Sequence, residues 1–237
     1  MEINFFTTSE LIKAYLFLPY PTDRVKYKYF TPYLIAATNN TVSCVDIALK
    51  LLTMNNYSVK DDNEFSQSFK NVLDAFENLR KSNIDLLLKD LFLDIEKGVL
   101  TVGSKEWLED SRDTTTESVK LTIEDYAHDY KHLKEKNFQD LRTVLEMKLA
   151  TCYLQALLHK KITFKDVQQR EKFARKFESE IAGLKNSMAK LPNFALFLNS
   201  PTEPSQSPFD CFPLLTEFLK LKDINNMLYL EVSVSSA

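Results

Sequence analysis

The feature that most constrains the fold of this chain is a long series of apolar residues whose positions advance largely by steps of three and four. Such steps keep side chains on one face of an α-helix, whereas a strand would divide them between two faces. The series predicts one long helix ending near Gly98, where we expect a C-capping glycine. Its members are Phe65, Phe69, Val72, Phe76, Leu79, Leu87, Leu91 and Ile95.

A second amphipathic pattern covers residues 167–191, with Thr163 and Asp166 as a capping-box start and Pro192 as the stop. Residues 137–159 carry two apolar stripes, which predicts a central helix packed on more than one side. The first stripe is Phe138, Leu141, Leu145, Leu149, Cys152 and Ala156, and the second is Val144, Met147, Leu154 and Leu158.

Weaker helical patterns occupy most of the remaining chain, and the fold class is therefore predicted to be all-α. These patterns cover residues 8–18, 31–53, 122–133 and 209–221, with a short helix after Asp223. Alternation typical of strands is short, at residues 25–30 and 228–234, and each of these can be a helix end instead. The predicted linkers are residues 55–64, 101–119 and 199–207.

Composition narrows the possible functions. Only three glycines occur, at Gly98, Gly103 and Gly183, which is too few and too scattered for a Rossmann unit or a P-loop. Thirty Lys and Arg against 33 Asp and Glu give a net charge of −3, so no nucleic acid is expected as a partner.

The cysteine content predicts neither a disulfide framework nor a zinc site, and it fits a reducing, intracellular compartment. The chain has three cysteines, Cys44, Cys152 and Cys211. The N-terminus has no basic region typical of a signal peptide, and no apolar run approaches a membrane span.

Charge is segregated along the chain. Residues 160–190 contain nine basic and four acidic residues, a net charge of +5, whereas residues 105–129 have a net charge of −5. The two regions could attract each other or select different partners. A basic helix face can bind anionic lipid headgroups or an acidic protein, although an ordinary solvated face is the alternative. The candidate basic surface is Lys160, Lys161, Lys165, Arg170, Lys172, Arg175 and Lys176.

Two further patterns, a histidine pair and an apolar seam, each have a simpler explanation. His128 and His132 have the spacing of helical zinc ligands, but no third ligand follows, so solvated helix histidines are the simpler interpretation. The seam at Phe69, Val72 and Phe76 could form a coiled coil with another chain, with packing inside this chain as the alternative.

Catalytic activity has little support in the sequence. No Gly-x-Ser-x-Gly elbow or cysteine-nucleophile signature is present, and carboxylate pairs such as Glu124 and Asp125 fit the first turn of a helix. An enzymatic function therefore rests on no specific feature of the sequence.

Several segments resemble the family of exocyst component three, the Sec-six subunit of the vesicle-tethering exocyst. Thr122-Ile123-Glu124-Asp125-Tyr126 and the segment from Tyr153 to Phe164 carry the resemblance first. Residues 91–96, Trp107-Leu108, 171–191 and 228–233 extend it in the family's order and spacing, so that it covers residues 33–233.

The resemblance implies an elongated stack of antiparallel helical bundles, as in the rods of tethering complexes, with no enzymatic activity and no cofactor. We expect a first bundle over residues 1–100, a linker over 101–120 and a second bundle over 121–237 that is cut short at its C-terminal end. The chain is then expected to be a fragment of the family's C-terminal half.

The resemblance also implies partners and a location. Other exocyst subunits and plasma-membrane SNARE proteins are the implied partners, in the cytoplasm and at sites of polarised secretion on the plasma membrane. The paralogous M-Sec proteins, which act at membranes to build protrusions, offer an alternative in which the basic surface binds acidic phospholipids directly.

Overall fold

The structure is a computed structural model that describes residues 29–55, 57–58, 64–110, 112, 114–160, 162, 164–189 and 207–220. Within these residues the secondary structure is helical and contains no strand, which confirms the all-α prediction. The α-helices are α1 (Phe30–Met54), α2 (Glu64–Val99), α3 (Lys105–Glu109), α4 (Thr114–Tyr130), α5 (Glu135–His159), α6 (Val167–Ala189) and α7 (Phe212–Lys220).

Helices α1 and α2 form an antiparallel hairpin, and both match the predicted helices closely. The expected cap at Gly98 is wrong, because α2 continues through it to Val99. Gly103 is instead the glycine with a positive φ, at 83°, in the turn that leads to α3. A Cβ at Gly103 would lie 2.9 Å from Cδ1 of Ile162, a side-chain end that can move, so the positive φ is the main reason why this turn favours glycine.

The predicted linker at residues 101–119 contains helical structure that the sequence pattern did not indicate. Ser104 caps α3 by accepting a hydrogen bond from the Trp107 backbone N–H at 3.1 Å. Helix α4 begins at Thr114, well before residue 122. Glu124 and Asp125 consequently lie in the middle of a helix, and the first-turn explanation for this carboxylate pair is wrong.

Helix α5 buries its first apolar stripe, including Leu145 and Leu149, against its neighbours. The expectation that its second stripe is also covered is only partly correct. Val144 and Leu154 are half-buried, whereas Met147 and Leu158 are 55% and 77% exposed. The described elements that pack on α5 therefore leave part of one side open to solvent.

Helix α6 begins at Val167, later than the capping-box prediction from Thr163 implies. Asp166 is the residue that caps it, because its carboxylate accepts a hydrogen bond from the Gln169 N–H at 2.7 Å. The predicted helix over 209–221 is confirmed as a 3₁₀ turn, Pro208–Cys211, followed by α7. Ser207 and Asp210 form a reciprocal capping box at its start.

Several sequence predictions fall outside the described residues. These are the helices at 8–18 and after Asp223, the strand-like segment at 228–234, and the part of segment 25–30 before Tyr29. Phe30 itself begins α1 and is helical. Lys161, Thr163 and Pro192 also lie outside the described residues.

One cluster of buried apolar side chains extends from Phe30 on α1 to Phe212 on α7. Aromatic rings connect its later part, with Phe173 stacked on Phe177 at 6.2 Å and Phe177 in edge contact with Phe212 at 5.4 Å. The division into bundles at 1–100 and 121–237 stays a prediction. The cluster contains side chains from both ranges.

A buried polar junction joins the α1–α2 hairpin to α5. Arg80 on α2, 4% exposed, donates to the side-chain oxygen of Asn137 at 3.2 Å and pairs with Glu77 and Asp140. Asn137 is fully buried, and its amide donates to the Thr38 carbonyl on α1 at 3.1 Å. Three helices are thus fixed relative to one another by groups that water cannot satisfy.

Asn39 on α1 links the α4–α5 turn to the same polar junction through hydrogen bonds. The Asn39 side chain donates to the His132 carbonyl at 2.8 Å and accepts from the Lys134 backbone N–H at 2.7 Å. It also accepts from the Asn137 amide at 3.1 Å. The start of α5 therefore has one defined position on the hairpin.

Arg80→Met should lower the free energy of unfolding by about 2–3 kcal/mol, because it leaves the buried Asn137 oxygen without this donor. The half-exposed Glu77 and Asp140 can recover water, which limits the loss. Urea unfolding followed by circular dichroism measures the change. Lys81→Met is the matched control, since Lys81 is exposed and 3.8 Å from Glu77. Equal stability of the two variants would contradict the role of Arg80.

The junction also predicts an acid dependence. The hydrogen bond from Arg80 lowers the pKa of Glu77 below 4.5. A carboxylate with a lowered pKa stabilises the fold above its unfolded pKa and loses that contribution as the pH falls through its folded value. Wild type should therefore exceed Glu77→Gln in unfolding free energy at pH 7, and the difference should shrink progressively below about pH 4.5. A difference that is independent of pH between 7 and 3 would refute this assignment.

Candidate interaction surfaces

The predicted basic surface divides into inward and outward side chains. Lys160 donates to the Val102 carbonyl at 2.9 Å, and burial lowers its pKa. Lys176 donates to the Asp110 carbonyl at 2.6 Å and lies over the Trp107 ring, 5.3 Å from its centroid. These two lysines hold α3 and its flanking turns against α5 and α6.

The outward group lies around the first two turns of α6. Lys165, Lys172 and Arg175 are exposed, and Arg170 is half-buried. Arg175 pairs with Glu171 at 2.8 Å, one helical turn earlier. The part of the candidate surface that solvent reaches most freely is therefore Lys165, Lys172 and Arg175, with Arg170 beside them.

A buried carboxylate fixes the Trp107 helix on α6. Glu180 is 3% exposed, and its two oxygens accept from the Trp107 Nε1–H at 2.9 and 3.1 Å. The Lys176 Nζ lies 3.9 Å from the same carboxylate. Phe173 packs edge-on against the Trp107 ring at 5.1 Å. Sequence reasoning did not anticipate this cluster; its signal was the single tryptophan of the chain, in a segment assigned to a linker.

The acidic and basic segments are neighbours in space. Helix α4, from the acidic segment, packs on α6, and α3 does the same through Trp107. Glu106 and Glu109 on α3 and Asp125 and Asp129 on α4 are exposed. Two of the basic side chains, Lys160 and Lys176, therefore form hydrogen bonds within the fold. Side chains of both charges remain exposed at the surface.

The histidine pair does not assemble a metal site within the described residues. His128 is exposed and contacts the Lys131 Nζ at 3.1 Å, and His132 is exposed in the turn after α4. No group of three or more His, Cys, Asp or Glu side chains in the described segments could hold a metal ion. The three cysteines are free, and burial raises the pKa of Cys152, which disfavours its thiolate.

The predicted seam on α2 is only partly covered by the described residues. Phe69 and Phe76 are half-buried, and Val72 is 47% exposed.

Among the described helices, none is long and apolar enough to cross a membrane.

The Trp107 cluster predicts a coupling energy. Trp107→Phe keeps the aromatic packing but removes the indole donor from a buried carboxylate, which should cost about 2–3 kcal/mol of unfolding free energy. In a Glu180→Leu background the same change should cost about 1 kcal/mol or less, because no carboxylate is left without its donor. Chemical denaturation of the four proteins of this double-mutant cycle measures the coupling. Additive effects would contradict the proposed contact.

Taken together, the described residues define a helical-bundle protein with exposed charged and apolar side chains. Residues 8–234 match the family described as Exocyst complex component Sec6. The chain therefore belongs to the Sec6 family of exocyst components.

Two relatives carry the name Exocyst complex component 3. The Drosophila melanogaster protein is 28% identical over 198 residues, which is 83% of this chain and 25% of that protein. The Caenorhabditis elegans protein is 24% identical over 249 aligned residues, covering 92% of this chain and 30% of that protein. The chain thus spans less than a third of the length of these relatives. No solved structure matches it.

Proposed function

We propose that this chain acts as a non-enzymatic exocyst subunit that helps to hold secretory vesicles at the plasma membrane before fusion. The observation that carries the proposal is the family match over residues 8–234, supported by two relatives named as exocyst components. The mechanism would be binding area rather than chemistry. Its partners would be other exocyst subunits and plasma-membrane SNARE proteins, in the cytoplasm and at sites of polarised secretion.

Helix packing and charge support this proposal. A surface formed by packed helices keeps its shape between the free and bound states, which limits the ordering cost of association. The outward residues Lys165, Lys172 and Arg175 would attract an acidic partner and accelerate encounter, so binding should weaken as salt rises. Lys160 and Lys176 would contribute through the fold rather than through direct contact.

Affinity capture of the tagged chain from lysate, at low and high salt, tests the proposal. We expect mass spectrometry to recover exocyst subunits, with recovery reduced at high salt. The triple variant Lys165→Glu, Lys172→Glu and Arg175→Glu should reduce recovery at least tenfold if this surface contacts them. A control triple variant at the exposed Lys89, Lys97 and Lys105 should retain binding. Recovery of no exocyst subunit under any condition would contradict the proposal.

The same outward residues favour one alternative, an M-Sec-like protein that binds acidic phospholipids and shapes membrane protrusions. Each Lys or Arg near an anionic membrane contributes about 1 kcal/mol to binding. Cosedimentation with phosphatidylserine vesicles, in the absence of any partner and abolished by the same triple variant, would favour the alternative. Equal binding to neutral vesicles would rule out the charge mechanism.

A further inference from the structure

Ser-Pro and Thr-Pro pairs are the substrates of proline-directed protein kinases, and this chain has three of them, at residues 31–32, 200–201 and 207–208. Such a kinase binds the acceptor residue and its neighbours as an extended segment, so that the hydroxyl reaches the catalytic aspartate of the kinase and the γ-phosphate of ATP. Local conformation therefore helps to decide which pairs the folded chain offers. The pair at 200–201 lies outside the described residues.

The two described pairs differ in conformation. Ser207 has φ −63° and ψ 137°, the extended geometry that a following proline favours, and it is half-buried. Its hydroxyl accepts a long hydrogen bond, 3.4 Å, from the Phe209 backbone N–H. Thr31 and Pro32 instead lie in the first turn of α1 and have helical backbone. The folded chain thus presents Ser207, rather than Thr31, in the form that a proline-directed kinase binds.

Ser207 lies next to a charge pair that joins the 3₁₀ turn to α6. The Ser207 backbone N–H donates to one oxygen of the Asp210 carboxylate at 3.0 Å, and the other oxygen pairs with Lys185 on α6. The hydrogen bond from Lys185 lowers the pKa of Asp210, so this carboxylate is negatively charged at neutral pH. A phosphoryl group on Ser207 would therefore be placed beside an existing negative charge.

This charge pair helps to hold the last described helix on α6. The Phe212 ring at the start of α7 is buried and meets Phe177 of α6 edge-on at 5.4 Å. At the other end of α7, Lys220 pairs with Glu178 of α6 at 2.9 Å. Residues 208–220 are thus attached to α6 by ion pairs at both ends and by aromatic packing between them.

We propose that Ser207 is a phosphorylation site for a proline-directed kinase and that its modification loosens the attachment of α7 to α6. In this reaction the Ser207 Oγ forms a bond to the γ-phosphorus of ATP, the bond from that phosphorus to the β,γ-bridging oxygen breaks, and ADP leaves. The hydroxyl proton passes to the catalytic aspartate of the kinase. The phosphorylated side chain carries a charge of about −1.5 to −2 at pH 7.

The added charge acts against the local structure. It repels the Asp210 carboxylate and competes with it for Lys185, because one ammonium group does not neutralise both anions. The positive end of a helix favours a phosphate, but the 3₁₀ turn after Ser207 has four residues and poorer hydrogen-bond geometry, so this compensation is small. Local opening of α7 should therefore become more frequent, which would uncover the Phe177 ring.

The first half of the proposal is tested by incubating the purified 237-residue chain with a mitogen-activated protein kinase and ATP, followed by peptide mass spectrometry. Synthetic peptides covering residues 26–36 and 202–212 give the intrinsic rates of Thr31 and Ser207. Relative to these peptides, Ser207 in the folded chain should be modified at least about tenfold faster than Thr31. A chain that acquires no phosphate on Ser207, or acquires it no faster than on Thr31 by this measure, overturns the proposal.

Hydrogen–deuterium exchange tests the second half, in a Ser200→Ala background that removes the neighbouring Ser-Pro pair. Phosphorylation of Ser207 should make the amides of residues 212–220 exchange about three to ten times faster and leave those of α5 unchanged. Asp210→Asn is the matched variant. In that chain the phosphate meets no carboxylate beside Ser207 and pairs with Lys185 without competition, so phosphorylation should no longer accelerate exchange.

Ser207→Ala, treated with the same kinase, should exchange like the unmodified chain and controls for the treatment itself. Unchanged exchange of α7 in the chain phosphorylated on Ser207 overturns the proposal. An acceleration that persists undiminished in Asp210→Asn also overturns it, since charge repulsion would not be the cause. Because each measurement uses the purified chain without a partner, its outcome is separate from whether the chain binds exocyst subunits.

Discussion

The buried hydrogen bonds around Asn137 are the constraint on which the arrangement of helices depends. Apolar packing alone would allow α5 to slide along the α1–α2 hairpin, because leucine-rich surfaces accept several registers. Asn137 removes that freedom, since its buried amide finds acceptors on α1 and a donor in Arg80 at only one register. A shift of one turn would leave an arginine and an amide buried without partners.

A second polar contact fixes the opposite end of the assembly. The Glu180 carboxylate and the Trp107 indole hold a five-residue helix that has no stability of its own. That contact closes the connection between α2 and α4 over the core and brings the acidic segment against the basic one. The charged residues left outside are then carried by packed helices, which suits a protein that acts by binding.

Long helices were predictable because their apolar periodicity persists over many turns, as in α2 and α6. The short helix at Trp107 was not, since five residues are too few to show a period. The Gly98 error has a related cause: a glycine can end a helix or lie within its last turn, and Gly103 supplies the left-handed turn instead. Arg80 and Asn137, which bond to each other, are 57 residues apart in sequence, beyond the reach of local patterns.

The candidate surface was predictable only in part, because sequence gives charge but not direction. Counting charges located the basic segment, yet Lys160 and Lys176 turn inward to backbone carbonyls. The family resemblance drew on dispersed residues that include Trp107, and the match over residues 8–234 agrees with it.

Reconstitution of the purified chain with purified exocyst subunits, followed by native mass spectrometry, tests the proposed function most directly. We expect a defined complex that contains one or more of these subunits and forms without enzymatic turnover or a cofactor. Failure to form any such complex at low salt, with the chain folded, would contradict the claim that this helical-bundle chain acts by binding exocyst subunits.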